Sequence, residues 1–322
     1  MKSSGIGGQA VIEGIMMKNG DKYAVAVRKP DNKIEAEVRE LGKAGKQPIF
    51  KRVPIIRGIF NFIESLVLGM KTLTFSASFY EEEEEKKPGR TEKAESIFMG
   101  LTVVCSVAFA VAIFMVLPYF ITERLRPYVV STTLMAIIEG CIRIAIFLLY
   151  IVLITLMKDI QRVFMYHGAE HKCINCVESG LPLTVENVRI SSRQHKRCGT
   201  GFLLIVMVIS VIFFIFIRTS SPVWRVVIRL LLVPVIAGVS YEFIRLAGNS
   251  DSKIVNILSM PGMLLQRMTT REPDDSMIEV AICAVEAVFD WKQYLAEEGK
   301  ITKEELAQLR AEEGFEFIGD EE

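Results

Sequence analysis

The sequence predicts an α-helical integral membrane protein with about four transmembrane helices, a small N-terminal antiparallel β domain and cytoplasmic helices. Two observations carry most of that reading. The 322 residues are 51% hydrophobic with a mean hydropathy of +0.34, too apolar for an ordinary soluble chain. At 24% charged they are also too polar for a chain immersed in lipid throughout, so membrane and soluble parts should alternate. A third observation locates the parts: long apolar runs fall between residues 97 and 247, whereas residues 9 to 41 alternate polar with apolar between turn residues. The 38 basic and 38 acidic residues balance, so no global basic field argues for nucleic acid. Six scattered cysteines, two of them in apolar runs, argue against a disulfide scaffold. The first residues, Met-Lys-Ser-Ser-Gly-Ile-Gly-Gly, do not read as a secretory signal, and insertion should rest on the internal segments.

Residues 1 to 52 form the expected β-rich cytoplasmic unit. Gln9 to Met17, Lys22 to Arg28 and Lys33 to Arg39 read as three strands separated by Asn19-Gly20-Asp21 and Pro30-Asp31-Asn32, and Gly5 to Gly8 as a flexible lead-in. Three strands with one apolar face need a cover from elsewhere in the chain. Residues 53 to 79 have helical period but carry Arg57, Asn61, Glu64 and Lys71, which favours an interfacial or packed amphipathic helix over a spanning one. Residues 80 to 96, with five consecutive glutamates, read as a charged linker.

The membrane domain is expected over 97 to 247, with a cytoplasmic loop at 158 to 201. Ile97 to Ile121 is 25 residues without a charge, enough for about 30 Å of hydrocarbon at about 1.5 Å per residue. Leu134 to Met157 contains Glu139 and Arg143, four apart and able to pair on one helical face. Phe202 to Ile217 is a short third span. Residues 223 to 247 form a fourth with Arg225, Arg229, Pro234, Glu242 and Arg245. Basic residues concentrate before the first span and between the second and third, which puts both termini and the 158 to 201 loop on the cytoplasmic side of the cell membrane. Residues 248 to 322 are read as a C-terminal cytoplasmic helical region: a break at Met260-Pro261-Gly262, a helix start at Glu272 to Ser276, a helix from Met277 to Glu298, and a short exposed helix from Lys303.

All three histidines of the chain fall between 167 and 195. His167 and His171 are spaced i, i+4, so on a helix both imidazoles can meet one tetrahedral ion. Glu170 completes His-x-x-Glu-His, an order in which a carboxylate can serve as general base to a metal-activated water. His195 and Cys198 follow before Gly199-Thr200-Gly201, which makes zinc at His167, His171 and His195, with Cys198 or a carboxylate as the remaining ligand, the leading reading. Two others stay open: a closed structural site from Cys173, Cys176, His195 and Cys198, and a helix surface with no metal. Glu242 is a distant candidate carboxylate, although a helix-interface pair with Arg245 or Arg143 is preferred. For the His167/His171 and His195/Cys198 pairs to meet, the second apolar helix must tilt, bend or dip along the surface, or the third must extend beyond the bilayer, because His171 lies about 20 Å beyond Met157 on a straight helix.

Several of these segments carry a resemblance: Gly7-Gly8-Gln9-Ala10-Val11-Ile12-Glu13-Gly14 with Met16-Met17, Glu64 to Met70, Tyr166 to Lys172, Arg197-Cys198-Gly199-Thr200, and Pro261-Gly262 through Thr269 to Asp275. Over nearly its full length the chain resembles the YqhQ family of bacterial multi-pass membrane proteins, a domain of unknown function often labelled a predicted metal-dependent enzyme. The resemblance implicates His167, Glu170, His171, His195 and Cys198 and leaves Cys173 and Cys176 outside its pattern. The resulting expectation is a zinc-dependent hydrolase working at the cytoplasmic membrane interface, with a non-catalytic membrane scaffold or assembly factor as the alternative. Expected partners are the lipid bilayer and proteins at the cytoplasmic face; nucleic acid is not expected, and homo-oligomerisation is left open.

Overall fold

A computed structural model describes residues 3–41, 53–80, 92–217, 219, 221–248, 250 and 252–316. Its N-terminal sheet has four strands rather than three: β1 (Gly7–Val11), β2 (Gly14–Asn19), β3 (Lys22–Arg28) and β4 (Ile34–Glu40), antiparallel in that order. The stretch expected to be one strand folds back at Ile12-Glu13, so that Val11 faces Gly14. Neither turn residue is a glycine or asparagine, and Glu13 takes φ 49°. Tertiary contacts hold it there: the Arg162 guanidinium grips the Glu13 carboxylate with two bonds, and Tyr166 Oη donates to it at 3.2 Å. The expected flexible lead-in likewise gives way to β1 from Gly7 onward.

Strand alternation buries both faces of β2 and β3, while β4 stays largely exposed. Val11, Met16, Tyr23, Val25 and Val27 meet Leu68 on one side. That leucine belongs to α1 (Ile56–Ala77), the expected amphipathic helix, whose other face leaves Ile63, Leu66, Val67 and Met70 exposed. On the opposite side Ile15, Met17 and Ala26 join a core built with α5 (Lys158–Glu178) and α10 (Asp275–Glu286), through Tyr166, Ala169, Cys173, Met277, Ile278 and Ala281. Full burial of each larger apolar side chain contributes about 1.5–3 kcal/mol, which supplies the cover the strands lack alone.

The apolar region holds α2 (Glu92–Val111), a π-helical turn at Ala112–Val116, α3 (Leu117–Glu123), α4 (Thr132–Ile154), α7 (Gly199–Ile215) and α8 (Pro222–Gly248). Among the described residues three helices are long and apolar enough to cross a membrane: Gly100–Glu123, Thr132–Ile154 and Val223–Gly248. They suggest a membrane protein. The expected third span, α7, has 17 residues and is shorter, about 25 Å against about 30 Å of hydrocarbon. Leu101, Val104 and Phe109 on α2, Leu149 and Leu153 on α4 and Leu231 on α8 point outward, where only an apolar solvent suits them.

Inside this bundle the Glu139–Arg143 pair forms at 2.9 Å, and Arg229 of α8 joins the same carboxylate. Pro118 has no N–H to offer the Phe114 carbonyl four residues earlier, and Arg143 Nε donates to that oxygen at 2.9 Å instead. Among the described residues Glu242 reaches neither Arg143 nor the histidine loop; it takes Arg57 of α1, Nε to Oε1 at 2.7 Å, with the charge of Arg245 nearby.

Three further expectations change. Residues 81–91 of the charged linker lie outside the described residues, and 92–96 open α2 rather than continuing it. The break at Pro261 is absent, because α9 (Lys253–Thr269) runs through it. One helical hydrogen bond is lost there, but Gly262 sits on Gly201 of α7, so close that a Cβ would stand 3.2 Å from the Gly201 Cα. The expected helix from 277 to 298 is two: α10 ends at Glu286, and α11 (Trp291–Glu297) restarts with Asp290 accepting from Gln293 N at 2.8 Å. The chain continues to α12 (Lys303–Glu316), while α6 (Val185–Ile190) lies in the loop after α5.

Candidate metal centre

Helix α5 begins at Lys158 after a break at Thr155–Met157, so the second apolar helix does not run straight into the histidines. The i, i+4 spacing places the His167 and His171 rings on one face with centroids 4.4 Å apart. Cys198 reaches them from the N-cap of α7. Ligand atoms of His167, His171 and Cys198 all lie within 4.8 Å of one another.

Backbone carbonyls decide which ring nitrogens face this centre. His167 Nδ1 lies 2.8 Å from the Thr269 carbonyl at the end of α9, and His171 Nδ1 lies 2.7 Å from the Arg193 carbonyl. A carbonyl only accepts, so each Nδ1 carries a proton, and in the neutral ring it is Nε2 that holds the lone pair. This is how metal-ligating histidines are usually oriented by their surroundings. His167 Nε2 sits 3.2 Å from the Cys198 sulfur, which also contacts Thr200 Oγ1 at 3.1 Å and accepts from Thr200 N at 3.4 Å.

The charges of the group are coupled. Burial alone would push the Cys198 thiol up, but the neighbouring His167 and His171 reverse this and hold it well below the ordinary thiol range. Burial also works against charge on His167; the Cys198 thiolate outweighs it, with help from Glu170 and the Thr269 carbonyl, and the imidazole is raised to about 9. Glu170 is raised because burial disfavours its carboxylate more than the nearby histidines favour it.

Glu170 is 5% exposed, and its carboxyl group makes no hydrogen bond or ion pair with the described residues. It faces Gly8 of β1, where a Cβ would come within 3.1 Å of the Glu170 Cδ and within 2.6 Å of the Met16 carbonyl. A side chain at position 8 would therefore fill the space beside the carboxyl group. An open cleft of about 770 Å³ begins here, lined by Gly8, Glu170, His167, His171, Cys198 and the α1 residue Leu68.

His195 stands beside the group rather than among its three donors: its ring centroid is 5.9 Å from that of His171 and it lines the same cleft. Its Nε2 lies 3.3 Å from Glu178 Oε2, and its backbone is clamped by Gln266, which accepts from His195 N at 2.8 Å and donates to His195 O at 2.9 Å. Glu178 also takes Arg197 at 2.5 Å and both the N–H and hydroxyl of Ser4 at 2.8 Å. Burial would raise Glu178, but His195, Arg197 and Ser4 together hold it down at about 2. Cys173 and Cys176 are buried in the core beneath the sheet, so the cysteine-rich set is not assembled among the described residues. Burial pushes the Cys173 thiol well up and the Cys176 thiol to about 11, the opposite of what ligands need. Sequence reasoning read Gly8 as part of a flexible lead-in and Thr200 as part of a turn, and gave the Arg193 and Thr269 carbonyls no part in the site.

The family described as "Protein of unknown function (DUF1385)" matches residues 53–291. The chain belongs to this family. It is also 38% identical over 290 residues to the "Uncharacterized protein YqhQ" of Bacillus subtilis (strain 168), covering 86% of this chain and 89% of that one. The resemblance seen in the sequence is therefore real, and the matched residues include those that line the cleft on α1, α5 and α7. No solved structure matches.

Proposed function

We propose that this DUF1385 protein is a metal-dependent hydrolase whose site opens at the cytoplasmic face of the cell membrane, with both termini cytoplasmic. The observation that carries it is the joining of a preset His167–His171–Cys198 donor set to an unpartnered buried carboxyl group, Glu170, at the floor of a cleft. The donors suit zinc: two imidazoles with lone pairs turned inward and one thiolate, three protein ligands leaving a fourth position free. Bound there, zinc would supply Lewis acidity to a hydrolytic reaction. Glu170 would take a proton from water in the cleft and pass it to the leaving group. Gly8 keeps room beside it, and the Thr269 and Arg193 carbonyls keep both imidazoles turned. Exposed Leu66, Val67 and Met70 on α1 support a protein or lipid-like substrate approaching along the interface. The cytoplasmic orientation rests on the basic residues flanking the spans.

The burial of His171 and Cys198 favours a second reading, a closed metal staple in a non-catalytic scaffold. Metal per chain and turnover of a panel of fluorogenic esters and peptides, measured on detergent-purified protein, separate the two. Hydrolysis predicts near one zinc in wild type and in Glu170→Gln, with turnover only in wild type. The staple predicts zinc without turnover in either. Wild type reconstituted with zinc that retains none retires both.

A further inference from the structure

The second large cleft lies at the other end of the bundle. Cys198 caps the start of α7 and Phe214 lies near its end, so the two clefts are about 25 Å apart. This one has about 680 Å³ and lies between α3, α4, α7 and α8, with Glu123, Arg126, Glu139, Arg225 and Arg229 in its wall. Its charges do not balance. Glu139 is shared by Arg143 and Arg229, and Glu123 by Arg126 at 3.0 Å and Arg225 at 3.9 Å. Four guanidinium groups thus divide two carboxylates among the described residues, an excess of two positive charges.

Burial makes that excess expensive, because an uncompensated charge away from water is costly. Arg143 and Arg229 are each only 4% exposed at the side chain. Both guanidinium groups stack on the Phe214 ring, at 4.8 and 4.9 Å, which relieves part of the cost. The remaining donor is specific: Arg229 Nε is buried in the cleft wall without a hydrogen-bond partner among the described residues. Arg225 is held ready nearby, over the Tyr119 ring at 5.1 Å and donating to the Thr219 carbonyl at 2.9 Å. Val129, Val130, Met135 and Ile215 give the cleft an apolar side, with Thr122, Thr132 and Thr219 also in its wall.

We infer that this cleft binds a phosphate-bearing group, which completes Arg229 and Arg225 and cancels the excess charge. A phosphate supplies several strong acceptor oxygens, and guanidinium forks match their geometry. The group can come from an anionic phospholipid, whose chains the apolar wall would accept, or from a soluble phosphate. The inference is independent of the metal centre.

Calorimetric titration of the full chain in uncharged detergent tests it, with three probes: dihexanoyl phosphatidylglycerol, dihexanoyl phosphatidylcholine and inorganic phosphate. Phosphatidylglycerol binding at least tenfold tighter than inorganic phosphate assigns a lipid; comparable binding of the two assigns a soluble phosphate, and both support the site. Arg225→Gln/Arg229→Met should weaken the bound probe at least tenfold while leaving Glu139 paired to Arg143 and Glu123 to Arg126. Should that variant misfold, two rim changes decide: Arg126→Gln should weaken binding several-fold and Glu123→Gln should tighten it. No binding of either anion, phosphatidylcholine binding as well as phosphatidylglycerol, or affinities unmoved by the rim variants would overturn the inference.

Discussion

Gly168 sits between the two histidines of the candidate site, and its replacement by alanine tests how that site is held. A Cβ there would lie 2.0 Å from the Arg271 carbonyl oxygen, about 1.4 Å inside ordinary contact, and 3.5 Å from Pro273 Cδ. The obstacle is backbone, so α5 and the 269–273 segment must separate. Overpacking of this kind costs about 1–3 kcal/mol, and loss of the 2.8 Å bond from Arg271 N to the Phe164 carbonyl costs about 1 more. The helix propensity gained in replacing glycine offsets about 1 kcal/mol. A net destabilisation of about 1–3 kcal/mol follows. The same separation pulls the Thr269 carbonyl from His167 Nδ1, and loss of such an orienting partner typically weakens metal binding about 10–100-fold. Unfolding in mixed micelles and chelator competition for zinc read the two effects. Gly100→Ala on α2, where a Cβ would meet nothing within 4 Å, is the control. If Gly168→Ala matched Gly100→Ala in both assays, the close crossing of α5 and the 269–273 segment would be wrong.

Other outcomes follow from the same geometry. In metal-free protein Cys198 is a thiolate and His167 is raised to about 9, so zinc entry at pH 7 should release about one proton, from the imidazole; calorimetry in buffers of different ionisation heat counts it. The stabilising share of His167 is complete below its ordinary value of about 6.5 and is lost as pH rises through about 9. That of Cys198 is complete above about 8.5 and is lost as pH falls, so metal-free stability should be greatest between about pH 6.5 and 8.5 and decline on either side, which a pH series of melting curves checks. Glu139→Gln strips two buried guanidinium groups of their counter-charge and should cost about 3–5 kcal/mol, whereas Glu242→Gln, at a half-buried pair with Arg57, should cost about 1 or less; unfolding midpoints that ranked them the other way would contradict the bundle interior. Cys173→Ala/Cys176→Ala should leave zinc per chain unchanged in elemental analysis, since neither sulfur faces the centre.

What the sequence made legible were features set by local chemistry. The i, i+4 histidines, the Glu139–Arg143 spacing, the amphipathic period of 53 to 79 and the acidic start at Asp274 depend on neighbours within a helical turn or two. What it hid was set by distant contacts. Ile12-Glu13 carries no turn signal because the turn is held by Arg162 and Tyr166, about 150 residues away. Pro261 reads as a stop, yet Gly201 lets another helix pack tightly enough to carry the backbone through. His195 resembles a ligand by type, but its orientation follows Glu178 and Gln266, which the His-x-x-Cys spacing does not reveal.

The two faces of α5 explain why the centre sits where it does. Tyr166, Ala169, Cys173, Cys176 and Val177 turn toward the sheet and α10, at spacings of three and four. His167 turns toward the start of α7 and the end of α9, whose other residues pack in the apolar bundle, while His171 turns toward the 191–198 loop and Glu170 toward Gly8 at the edge of the sheet. One helix is therefore core on one side and site on the other, and the donor set bridges the sheet-bearing layer to the helices of the bundle. An ion held by His167, His171 and Cys198 would stitch α5 to α7 across that boundary. Folding of the boundary and assembly of the site are then one process, because the same carbonyls that close α9 and the 191–198 loop against α5 set the imidazole tautomers. That economy also accounts for Gly168 and Gly8: each is small where backbone or carboxyl group must come closer to α5 than a side chain permits.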